Sequence, residues 1–180
     1  GRICDKNGFK RTQMANPPQK LARPGRANPF GISYLYVSDK AETTIYETRA
    51  SLLDYISIGK FRVLEDLKIM NLRSKESLDF VKWIEAEEIE MFLFINQLQD
   101  ELAKPYKNSD QELDYIPTQY ICEFIKSLGY DGVEYRSALF SEGYNIAIFH
   151  PEKLKCISKS VHEITSINYK SNKINKKAII

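Results

Sequence analysis

The hydrophobic and polar positions along this chain fall into short alternating runs broken by two stretches of helical period. Residues 32–37, Ile-Ser-Tyr-Leu-Tyr-Val, are rich in aromatic and β-branched side chains and predict a strand. Ser38-Asp39 ends it, and Asp39 with Glu42 has capping-box spacing, which predicts a helix over 39–50. Residues 55–59, 61–64 and 68–72 read as two or three further strands. Between 74 and 104 the apolar residues Leu78, Val81, Ile84, Phe92, Ile95, Leu98 and Leu102 recur near helical spacing. Ser74 as N-cap and Pro105 as stop make this one long helix or two joined ones. Pro117 suits a first helical turn and Gly129 a C-terminal stop, so a helix over 117–128 is expected, with Ile121, Phe124, Ile125 and Leu128 as its buried stripe. Residues 131–135 and 145–149 then form a hairpin around a Ser141-Glu142-Gly143 turn. Edge strands are expected within 154–157 and 162–169, and residues 1–24 and 106–114 read as extended or looped chain. Mixed short strands and few helices give an α+β domain.

With 180 residues, 43% of them hydrophobic, the chain suits one globular domain spanning 1–180, with 74–104 as a helical insertion. It begins with Gly1, which fits the C-terminal part of something longer. The formal net charge of +2 and the lack of an aromatic-basic stripe argue against nucleic acid. No run of ~18 apolar residues predicts a membrane span, and no signal-peptide pattern opens the chain. Cys4, Cys122 and Cys156 are widely spaced with no CxxC, which points to reduced thiols, a cytoplasmic setting and no zinc site. His150 and His162 are the only histidines, so a histidine metal site or a Ser-His-Asp triad has little to build on. Neither GxxxxGK[ST] nor GxGxxG occurs.

The legible chemistry lies at 25–50. Pro24-Gly25-Arg26-Ala27-Asn28-Pro29 cannot settle into a helix, and Gly25 and Gly31 open backbone angles closed to other residues. This order places Arg26 on a loop, Tyr36 near a strand end and Glu47 on the next helix. A forked cation, an aromatic face and a carboxylate together suit a nucleotide. The plain alternative makes Arg26 a solvated loop residue, Tyr36 core and Glu47 an exposed helix residue. The Glu-x-Glu pairs 85/87 and 88/90 read as acidic surface, because residues two apart on a helix face different ways.

Gly25-Arg26-Ala27-Asn28-Pro29, Gly31, Tyr34-Leu35-Tyr36, Thr44, Glu47 and Arg49 resemble the pattern GRANPxGxxYLYxxxxxxTAxxEvR of the RES domain family. Gly129-Tyr130-Asp131-Gly132-Val133-Glu134-Tyr135-Arg136-Ser137, followed by Asn145 and Phe149, resembles that family's second block. The likeness runs from about residue 14 to about residue 169. It implies a mixed β-sheet core like that of ADP-ribosyltransferases, with flanking helices, in a bacterial toxin of a toxin–antitoxin pair. The implied activity is cleavage of the nicotinamide–ribose bond of NAD⁺ by water or inorganic phosphate. NAD⁺ is then a substrate, and no cofactor is expected. Under that resemblance Glu47 takes the ribose and its developing cation, Arg26 the pyrophosphate and Tyr36 the nicotinamide. Ser137 bonds the nicotinamide side or a phosphate, and Asn28 and Tyr34 are neighbours. Ile45, two before Glu47, leaves no second glutamate to activate a protein acceptor. The alternatives are transfer to a protein or nucleic acid, and a non-catalytic nucleotide- or partner-binding domain. A cognate antitoxin is the expected partner.

Overall fold

The computed structural model describes residues 1–73, 86–104, 112–171 and 173. These form an α+β fold with two sheets. One sheet is three-stranded. Its central strand β3 (Tyr55–Val63) lies between β1 (Arg2–Cys4) and β7 (Leu154–Glu163), antiparallel to both. The four-stranded sheet has the order β2 (Leu35–Ser38), β6 (Tyr144–Ile148), β5 (Gly132–Arg136) and β4 (Ile69–Leu72), with β4 and β5 parallel. Helix α1 (Ala41–Thr48) leads from β2 towards β3. Helices α2 (Ala86–Ala103) and α3 (Ile116–Ser127) precede β5.

Several local expectations change in this context. The helix after β2 is capped by Lys40 with no side-chain bond to its backbone. Asp39 Oδ1 instead accepts from Thr43 Oγ1 at 2.7 Å and from the Tyr144 amide at 3.2 Å, tying α1 to β6. The segments 55–59 and 61–64 are one strand, because a register shift at Lys60/Phe61 absorbs the break in alternation. The two C-terminal edge strands merge into β7, which stops at Glu163. Residues 1–24 contribute β1, which pairs with distant β3. Of the helical insertion, Ser74, Leu78, Val81, Ile84 and Glu85 lie outside the described residues. Within α2, Leu98 and Leu102 are buried.

The buried face of α3 is Thr118, Gln119, Cys122 and Ile125, while Phe124 and Leu128 are exposed. The shift has a polar cause. Thr118 Oγ1 donates to the Arg26 carbonyl at 2.6 Å and Gln119 Nε2 to that of Gly25 at 2.8 Å. Two otherwise orphaned carbonyls of the Arg26 loop are thereby satisfied, and apolar periodicity does not register that demand. The core of Tyr34, Leu72, Leu98, Leu102, Cys122, Ile125, Val133, Tyr135, Ala147 and Phe149 joins the four-stranded sheet to α2 and α3.

Candidate functional site

The loop that carries Arg26 is built around two side chains. Asn28 is buried, and its Nδ2 donates to the carbonyls of Arg23 at 2.9 Å and Ile32 at 2.8 Å, closing the loop on itself. Its Oδ1 accepts from the Tyr36 hydroxyl at 2.6 Å. The same hydroxyl accepts from the buried Ala27 amide at 3.1 Å. Gly25 is required here for space: a Cβ would come within 2.8 Å of Asn28 Oδ1 and 2.9 Å of the Tyr36 hydroxyl. Only Gly31 of the two loop glycines uses a positive φ, of 78°. Arg26 Nη1 donates to the Leu102 carbonyl at 2.7 Å, near the end of α2.

Glu47 reaches the same place from α1, whose last turn closes on Arg49 in the left-handed conformation. Glu47 Oε1 accepts from Ser137 Oγ at 2.6 Å and from Asn145 Nδ2 at 2.8 Å. A carboxylate at this position can only accept, so the amide of Asn145 must present its nitrogen. Its oxygen then accepts from Ser38 Oγ at 2.7 Å. Ser137 Oγ in turn accepts from the Phe140 amide at 3.0 Å, which orients its proton towards Glu47. Strands β2 and β6 and the end of β5 therefore clamp one oxygen of Glu47. The other oxygen carries no hydrogen bond among the described residues.

Arg26, Tyr36 and Glu47 line one cavity of about 320 Å³ together with Thr44, Tyr135 and Asn145. Ser137 stands behind it, touching the cavity through Glu47. Asn28 is one bond further back, beneath Tyr36. Tyr34 lies elsewhere. It sits one position before the paired part of β2, its ring packs on Phe149 at 4.8 Å between centroids, and its hydroxyl is taken by Glu123. It lines a separate cavity with Pro17, Pro18 and Lys126.

Two cavity residues were not singled out from the sequence. Asn145 and Tyr135 were each visible only as members of the second block. Burial pushes the Tyr135 phenol well above its usual range. The Arg26 charge works against that rise and Glu47 adds to it, which places both charges within electrostatic reach of one neutral hydroxyl. Burial of its hydroxyl likewise pushes the Tyr36 phenol above its usual range, and that hydroxyl donates to Asn28 Oδ1 although the residue as a whole is partly exposed.

A second cavity, of about 600 Å³, adjoins the first and shares Tyr36, Val37, Ser38 and Thr44 with it. Its far wall is made by β3 and β7, so it opens between the two sheets. Among the described residues no group of three or more histidines, cysteines or acids could hold a metal ion. Nor is any described helix long and apolar enough to cross a membrane.

A family model for the RES domain matches residues 2–168, which is most of the chain. This chain belongs to the RES domain family. RES domains are known from toxin–antitoxin contexts, and the family suggests NAD-related enzymatic activity. No curated protein sequence and no solved structure matches this RES-domain chain significantly.

Proposed function

We propose that this RES-domain protein is a toxin that cleaves the bond between nicotinamide and ribose in NAD⁺. The observation that carries this reading is the Glu47 carboxylate, fixed through one oxygen by Ser137 and Asn145, in a cavity shared with Arg26 and Tyr36. Nicotinamide departs as a neutral molecule from a cationic ring, so it needs no general acid. The demand falls on the ribose carbon, which gains oxocarbenium character as in glycoside cleavage. A carboxylate already oriented before reaction stabilises that charge without reorganising.

In this account Glu47 is the catalytic residue, its open oxygen addressing the ribose. Ser137 and Asn145 are positioning residues that act through Glu47. Arg26 holds the pyrophosphate, and the partly exposed Tyr36 ring flanks the nicotinamide, its hydroxyl anchored in the loop. Asn28 sets that anchor. Tyr135 supplies a neutral hydroxyl to the ribose. The two adjoining cavities give a dinucleotide room to extend between the sheets. The acceptor is water or inorganic phosphate, and a cognate antitoxin restrains the activity in the cell.

The test is incubation of purified protein with NAD⁺, with and without phosphate, followed by separation of the products. Free nicotinamide with ADP-ribose indicates hydrolysis, and ADP-ribose 1″-phosphate indicates phosphorolysis. Label left on a macromolecule would point to transfer instead. Intact NAD⁺ after prolonged incubation would refute the proposal.

A further inference from the structure

The cavity between the sheets has a chemistry of its own. Ile58, Phe61, Val63, Leu67, Ile146, Ile148 and Leu154 give it apolar walls suited to a flat base. At its β3–β7 side Lys60 stands opposite Ser158, and Ser160 follows opposite Ile58. Two other lysines line the cavity, but their ammonium groups are occupied. Lys40 lies over the Phe140 ring at 4.9 Å, and Lys159 donates to the Asn7 carbonyl at 3.4 Å. Lys60 is an exposed residue, and its ammonium has no partner among the described residues. Asp39 is the one carboxylate lining this cavity among the described residues, and its Oδ1 is used by Thr43 and the Tyr144 amide.

A dinucleotide site that selects NAD⁺ usually places a carboxylate on the 2′-hydroxyl of the adenosine ribose, and one that takes the 2′-phosphate places a cation there. Here the far cavity offers an ammonium without a partner among the described residues and the hydroxyl of Ser158, donors suited to a phosphate monoester, while Ser160 Oγ is hydrogen-bonded to His162 Nε2 at 2.7 Å. Lys60 lines only this cavity and not the one holding Glu47, which separates it from an acceptor phosphate attacking the ribose carbon. We infer that the cleft also accepts the 2′-phosphorylated dinucleotide NADP⁺ as a substrate, its 2′-phosphate held by Lys60 with Ser158. This rests on the reading of Glu47 given above. The step is the same: the C1″–N bond breaks with its electron pair on the departing nicotinamide nitrogen. A water oxygen bonds to the carbon and the released proton passes to solvent, leaving 2′-phospho-ADP-ribose.

The experiment compares nicotinamide release from NAD⁺ and NADP⁺ by the wild-type protein and by Lys60→Ala. In parallel, calorimetric binding of both dinucleotides is measured to Glu47→Gln and to Glu47→Gln/Lys60→Ala. Lys60 is exposed, so the substitution leaves folding intact, checked by thermal melting. We expect both dinucleotides to be cleaved at comparable kcat/KM. Loss of one charge-assisted contact in Lys60→Ala should lower the NADP⁺ value about tenfold and leave the NAD⁺ value within about twofold. Cleavage of NAD⁺ with NADP⁺ inert would overturn the inference and leave the NAD⁺ reading intact. An equal loss for both substrates would also overturn it, by placing Lys60 on the shared pyrophosphate. If neither is cleaved, the NAD⁺ reading fails. In that case tighter binding of NADP⁺ that disappears with Lys60→Ala still supports the phosphate site, and no such difference removes it.

Discussion

Replacing Asn145 by aspartate changes one atom pair and little else in shape. The nitrogen that now donates to Glu47 Oε1 at 2.8 Å becomes an oxygen, so two carboxyl groups share one site. Asn145 is buried, and Ser137 is the remaining donor to that oxygen. Two unit charges ~4 Å apart, after relaxation, repel by roughly 4 kcal/mol at an effective dielectric near 20. That repulsion pushes the upper titration of the pair above the usual carboxylate range. The sign follows from proton binding. The folded variant holds a shared proton over a pH range where the unfolded chain, titrating near 4, has already lost it. The penalty is therefore small below about pH 4, grows as pH rises and is complete above the raised pKa. Urea unfolding of Asn145→Asp should show a loss at pH 8 about 3 kcal/mol larger than at pH 4.5. For a chain of this size that is on the order of 10 °C in Tm. Asn145→Leu, which removes the donor without adding charge, should lose stability by a similar amount at both pH values. Equal losses for Asn145→Asp at pH 4.5 and pH 8 would refute the claim that this amide faces the Glu47 carboxylate.

Tyr36→Phe leaves the ring in the cavity but strands the buried Ala27 amide and Asn28 Oδ1, and should cost roughly 2–3 kcal/mol in urea unfolding. A change below about 0.5 kcal/mol would show that the hydroxyl is not the anchor of the Arg26 loop. Asp131 Oδ1 accepts from Lys153 Nζ at 2.8 Å and Oδ2 from the Lys68 amide at 2.9 Å, which hold its carboxyl below the usual range. A depressed carboxyl adds stability above the unfolded value of about 3.9, and that stability is lost as pH falls through the folded pKa. Asp131→Asn should therefore unfold more readily than the wild type at pH 7. The two melting curves should converge towards pH 2, and a constant gap would contradict the assignment.

Local signals in the sequence were strong wherever backbone constraint decides the outcome. Pro117 and Gly129 bracket α3, the latter with φ of 80°, and the hairpin of β5 and β6 follows its turn residues. What stayed hidden depends on partners far along the chain. Strand β1 exists because β3 offers it an edge, and two apparent strands become one because β7 pairs across the irregularity at Lys60. The buried face of α3 departs from its apolar stripe because Thr118 and Gln119 bond to carbonyls of a loop about ninety residues away. At the candidate site, spacing placed Arg26, Tyr36 and Glu47 on a loop, a strand and a helix, and the fold brings these three to one cavity. Ser137 and Asn145 carry no sign in the sequence that their side chains face a carboxylate, because that depends on how β5 and β6 meet α1. Tyr34, two residues from Tyr36, is drawn into the core by Phe149 and Glu123.

If the clamped Glu47 carboxylate carries the breaking of the nicotinamide–ribose bond, its charge must matter to turnover, and this is measured by nicotinamide release from NAD⁺ by Glu47→Gln beside the wild type. NAD⁺ binding and thermal melting are recorded on the same samples. Glutamine keeps the size and an acceptor oxygen but removes the charge that meets the developing cation. Release should fall by about 100-fold or more, with NAD⁺ affinity and melting temperature little changed. Release at the wild-type rate by a folded Glu47→Gln protein would contradict the role given to Glu47.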